Sequence, residues 1–165
     1  GTITGGYTTQ KFFCVYRSSL SDPLSYIRVF THILGHSSFE HFFNNFLIIL
    51  MVGPMLEEKY GSKVLLALIV ITALITGIVQ VIISDEGLLG ASGIAFMLII
   101  LTSFTNVEDG KIPITMILIA TMYLGKEIYY GIVYSDNISQ ITHIIRGICG
   151  IINGMIISKY YKRRN

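Results

Sequence analysis

The chain has 165 residues, a formal net charge of +2, 52% hydrophobic and 13% charged residues, and a mean hydropathy of +0.65. Apolar residues gathered in long blocks at this composition exclude an ordinary soluble domain and mark an integral membrane protein. The basic residues that matter sit at loops and at the C-terminus, so the charge does not point to nucleic acid.

Residues 1–38 contain no run long enough to cross a bilayer: Lys11, Arg17, Asp22 and Arg28 interrupt short aromatic patches, and Pro23 follows a Ser-Asp turn signal. This stretch reads as an amphipathic loop lying in the membrane interface. Five apolar segments follow, at Phe39 to Leu56, Val64 to Ile83, Ala91 to Phe104, Ile112 to about Val133, and Ile141 to Ile157. The expected fold is an all-α polytopic membrane bundle, with residues 1–38 as the interfacial region and 39–165 as the membrane domain. The first segment carries Glu40, His41, Asn44 and Asn45 in its opening turns, which is costly in lipid and turns that face inward. Pro113 stands in the first turn of the fourth, where proline is tolerated. Cys14 and Cys149 lie in unlike surroundings, with no spacing for a disulfide or a metal. Because residue 1 is Gly and no signal sequence is visible, the chain is expected to be a piece of something longer.

Placing loops 57–63 and 106–111 and the tail 158–165 on one side collects seven of the twelve Lys and Arg residues there, so that side is expected to be cytoplasmic. Alternating the spans then brings the starts of the first, third and fifth to the outer leaflet. Those starts hold His41 with Asn45, Ser92, and His143.

Ser92 lies in Gly90-Ala91-Ser92-Gly93, where the polar turn Ser84 to Gly87 gives way to an apolar run. A serine between small residues at a helix mouth has an uncrowded hydroxyl, and its backbone N–H is among the unpaired donors of the first turn. The helix it opens is only about 21 Å long against about 30 Å of hydrocarbon, so Ser92 falls about 10 Å below the near surface. A polar turn at that depth needs protein or water around it. Ser92 with His143 forms a candidate dyad in which the imidazole takes the hydroxyl proton; equally, the motif reads as a tight turn with Ser92 as a cap. Gly147, Gly150 and Gly154 line one face of the helix below His143 and permit close approach of a neighbour, for chemistry or for packing alone. His41 and Asn45, four apart on one face, suit an oxyanion hole completed by the Ser92 N–H, although Asn44 lies nearly as close in angle. Interhelical hydrogen bonding is the other reading of that pair. His32 and His36 are also four apart, and with His41 and His143 they raise a zinc site as a rival, but His-Glu-x-x-His is absent.

Taken in order, Thr31-His32-Ile33-Leu34-Gly35-His36, His41-Phe42-Phe43-Asn44-Asn45, Glu57-Glu58-Lys59-Tyr60-Gly61-Ser62, Gly90-Ala91-Ser92-Gly93 and His143 resemble the rhomboid intramembrane serine proteases, from about residue 26 to the C-terminus. The resemblance implies Ser92 as nucleophile, His143 as base, and His41, Asn45 and the Ser92 N–H as the oxyanion hole. Gly90, Gly93, Gly147 and Gly150 become supporting positions, Glu57 a structural glutamate at the cytoplasmic end of its helix, and Arg28 the arginine of the first extracellular loop. It implies no cofactor and no metal, single-pass membrane proteins as substrates, and a bacterial plasma membrane as location, and leaves the oligomeric state open. Three departures stand out. The family core has six helices and five are visible, so the first is missing or precedes Gly1. Ile27-Arg28 replaces a Trp-Arg pair. Arg146 occupies the place of a glycine in the last helix. An inactive relative that binds transmembrane helices is the alternative.

Overall fold

The computed structural model describes residues 5–19 and 21–105, and beyond them only helical positions 114, 117, 118, 121, 122, 125, 129, 152 and 156. The regular elements are α1 (Tyr7–Phe13), α2 (Pro23–Thr31), a 3-10 turn (His32–Leu34), α3 (Phe39–Tyr60), α4 (Ser62–Ile83) and α5 (Ser92–Thr105). Three of the five expected spans therefore appear as helices. Of the other two, 112–133 and 141–157, all but the isolated positions above lies outside the described residues.

The stretch expected as a loop carries two short helices. Ser-Asp-Pro, read in the sequence as a turn, opens α2. The Asp22 carboxylate accepts the Leu24 N–H at 3.0 Å, and Pro23 takes the first helical position, where its missing N–H costs nothing. One side of α2 is anchored by Arg28, which is 4% exposed. Its Nε donates to the Lys11 carbonyl at 2.8 Å, its Nη1 pairs with Asp22 at 2.9 Å, and its guanidinium lies 4.7 Å from the Tyr16 ring centroid. Tyr26, Ile27 and Phe30 are left exposed, an apolar surface suited to the interface.

Helices α3 and α4, of 22 residues each, are long and apolar enough to cross a membrane, at about 33 Å apiece. Ser38 caps α3 by accepting the His41 N–H at 3.0 Å. One residue, Gly61 at φ +80°, joins α3 to α4, a conformation that favours glycine. The corner is closed by the Gly61 N–H on the Glu57 carbonyl at 2.8 Å and by the Ser62 hydroxyl on the Glu57 carboxylate at 2.5 Å. Glu57 thus sits about 24 Å along the helix from His41, as a corner brace.

Among the described helices α5 is the most enclosed. Its Ile94, Met97, Leu98 and Leu101 pack against Val52 and Leu56 of α3 and Leu65 and Leu68 of α4, while Ala95 and Ile99 meet Ile48 and Ile49. Ala95, Met97, Leu98 and Leu101 are fully buried. The turn at its N-terminus is walled by protein: Gly90, Ala91 and Ser92 are all buried.

Candidate active site

His41 and Asn45 lie one turn apart on α3, and the structure brings both against the stretch that leads to Ser92. Gly90 has φ +119°. A β-carbon there would fall 2.7 Å from His41 Cε1, 2.8 Å from His41 Nε2 and 3.8 Å from Asn45 Nδ2. Only a glycine lets the backbone approach the imidazole edge this closely. The contact falls about 3 to 9 Å from the start of α3. Ser92 is the first residue of α5 and 4% exposed, and Gly93 beside it is also buried.

Of the two asparagines, Asn45 is the buried one, at 3% exposure, and Asn44 is half-buried. Among the described residues the Asn45 Nδ2 has no hydrogen-bond partner. An amide donor buried and unmatched costs about 1–3 kcal/mol, so its retention calls for a reason, and donation to a ligand is one. The His41 ring is oriented by its surroundings. Its Nδ1 is 3.1 Å from the Ser37 hydroxyl, and the His36 ring stands edge to face with it at 5.1 Å. His36 Nδ1 donates to the Leu34 carbonyl at 3.2 Å, while its Nε2 is buried without a partner among the described residues. Burial pushes the His36 pKa down, partly offset by the Leu34 carbonyl.

The turn before Ser92 is held from four directions. The Gly90 N–H donates to the His32 carbonyl at 2.9 Å, and Val15 and Leu88 exchange backbone bonds at 2.9 and 2.8 Å. Gln80 of α4 donates to the Glu86 carbonyl at 2.8 Å. Arg17 donates to the Val81 and Ile82 carbonyls at the end of α4 and pairs with Asp85 at 3.1 Å. Gln80, a lone amide within an apolar run, could have been flagged; Arg17 and Asp85, 68 residues apart, carry no sequence signal. Cys14 packs beneath Gly87, and burial raises its thiol pKa against the lowering effect of Arg28.

His32 does not join His41. Its Nδ1 donates to the Val29 carbonyl at 2.9 Å and its Nε2 is 3.2 Å from the Thr76 hydroxyl of α4. Among the described residues no three His, Cys, Asp or Glu side chains gather as a metal site would require. His143, Gly147 and Gly150 lie outside the described residues, as does Arg146. Arg28 and Glu57 are placed away from Ser92, as braces of the N-terminal segment and of the α3–α4 corner.

Two comparisons bear on this arrangement. A family model described as Rhomboid domain matches residues 23–163. The "Rhomboid protease GlpG" of Haemophilus influenzae is 30% identical over 141 residues, covering 82% of this chain and 71% of that protein.

Proposed function

This chain belongs to the rhomboid family, and from that premise we propose that it is an intramembrane serine protease hydrolysing peptide bonds of single-pass membrane proteins. The observation that carries the reading is the Asn45 amide, buried without a partner among the described residues and facing Gly90 beside the His41 imidazole edge, two residues from Ser92. Donors fixed before charge develops lower the barrier because they need no reorganisation during the reaction.

In this mechanism the Ser92 oxygen attacks the scissile carbonyl carbon while His143 takes the hydroxyl proton. The carbonyl oxygen becomes negative and is held by His41 Nε2–H, Asn45 Nδ2–H and the Ser92 backbone N–H. Collapse of that intermediate expels the amine, which receives the proton from His143, and leaves an acyl-enzyme on Ser92. Water entering from the extracytoplasmic side then attacks the ester, with His143 again as base. The substrate helix unwinds locally first, because its peptide bonds are otherwise hydrogen-bonded and shielded; it enters by a lateral gate near residues 112–133. The protein resides in a bacterial plasma membrane, its active site opening outward and its C-terminus cytoplasmic.

Purified protein in proteoliposomes, offered a single-pass substrate, is expected to cleave it and to be labelled at Ser92 by a fluorophosphonate. Ser92→Ala is expected to lose both. Retained cleavage by Ser92→Ala refutes the serine mechanism.

A further inference from the structure

We infer that Ser37 is a positioning residue for the oxyanion hole, holding the His41 imidazole in the tautomer that carries its proton on Nε2. This rests on the protease reading above.

The two ends of the His41 ring meet different surroundings. The Cε1–Nε2 edge faces Gly90 and, beyond it, the Asn45 amide. The Nδ1 end is 3.1 Å from the Ser37 hydroxyl. A neutral imidazole has one N–H and one lone pair. With the proton on Nδ1, the ring turns a lone pair toward a developing oxyanion, which repels it. With the proton on Nε2, the ring donates to that oxyanion, and the lone pair is left on Nδ1, where the Ser37 O–H fills it. A hydroxyl can serve either form, donating to a bare Nδ1 or accepting from Nδ1–H; the demand for a donor at Nε2 selects the form, and the Ser37 O–H stabilises it by donating to Nδ1.

The hydroxyl is well placed for this task. Ser37 lies just outside α3, and the first-turn N–H of His41 is already capped by the neighbouring Ser38. The two serines therefore divide the work: Ser38 serves the backbone of His41 and Ser37 its ring. His36 confines the ring from the side, edge to face at 5.1 Å, so rotation away from Ser37 is hindered. The chain thus holds three features together at one point: a fixed ring, a hydroxyl at its rear nitrogen, and an unmatched amide beside its front one.

The test uses the whole chain in detergent micelles with 15N-labelled histidine. In the unaltered protein the His41 Nδ1 resonance is expected to be that of an unprotonated nitrogen accepting a hydrogen bond. In Ser37→Ala it should shift toward a non-bonded nitrogen, and kcat should fall about threefold to tenfold with KM unchanged. Ser37→Thr, which keeps the hydroxyl, should restore both. Ser38→Ala, which removes the cap, should lower thermal stability and leave the Nδ1 resonance in place. A protonated Nδ1 in the unaltered protein overturns the inference, as does a Ser37→Ala protein whose resonance and kcat are unchanged. The resonance needs no turnover, so it decides the role of Ser37 even if Ser92→Ala retains cleavage and the protease reading fails.

Discussion

Gly90→Ala separates the needs of the fold from those of the site. The added methyl has two costs. The first is conformational: at φ +119° an L side chain is strained by about 1–3 kcal/mol. The second is steric and falls on His41, whose Cε1 would have to withdraw from 2.7 Å to an ordinary contact near 3.4 Å. That movement strains the ring's contacts with Ser37 and His36, and it displaces the imidazole by about 0.7 Å from where an oxyanion donor is needed. Misplacement on the order of 1 Å can lower a rate by about 10²-fold. Gly61→Ala is the control. It sits at φ +80° with nothing within 4 Å of the added carbon, so it carries the strain without touching the site. Gly61→Ala is expected to lose about 1–3 kcal/mol in reversible unfolding and Gly90→Ala at least as much. Only Gly90→Ala should lose turnover, by about 10- to 100-fold per folded molecule, in a proteoliposome assay. Folded Gly90→Ala protein that cleaves at the unaltered rate refutes the reasoning.

Other outcomes follow from the same geometry. Asn45→Leu, close in volume, should lower kcat by about 10² to 10³ while thermal stability holds or rises, because an unmatched amide leaves the interior; a parallel fall in both would assign Asn45 to the fold instead. Arg17→Ala, which releases the Val81 and Ile82 carbonyls, should destabilise by about 1–2 kcal/mol, whereas Asp85→Asn should cost under about 1 kcal/mol because that ion pair is exposed; denaturant titration of both checks the order. The pKa of His36 is lowered on folding by burial, so its contribution to stability is complete above the ordinary histidine value of about 6.5 and is lost as pH falls below it. His36→Phe should therefore flatten the fall in unfolding midpoint on acidification, and an unchanged slope would contradict this.

Apolar length, caps and i,i+4 spacing are local properties, and they carried the reading far. They located α3, α4 and α5 within a few residues, set His41 and Asn45 on one face, and put Ser92 at a helix mouth. At Ser-Asp-Pro the expected turn is present, with the Asp22 N–H on the Ser19 carbonyl at 3.0 Å, but the helix it opens was not expected, because an aspartate followed by proline suits a turn and a helix start equally; the Leu24 N–H that Asp22 accepts marks the start. Spacing favoured Asn45 over Asn44 only in part and family resemblance supplied the rest, and burial separates the two.

What the chain determined by itself is thus the membrane character, the three described long helical segments and the residue types available to the site. What only tertiary structure decided is which of those residues meet: Gly90 against His41, Ser37 behind its ring, and Arg17 across 64 residues to the end of α4. The physical reason is that periodicity records which face of an element is apolar, whereas meetings between elements depend on how closely their backbones approach. Here that approach is controlled by the absence of a single β-carbon at Gly90.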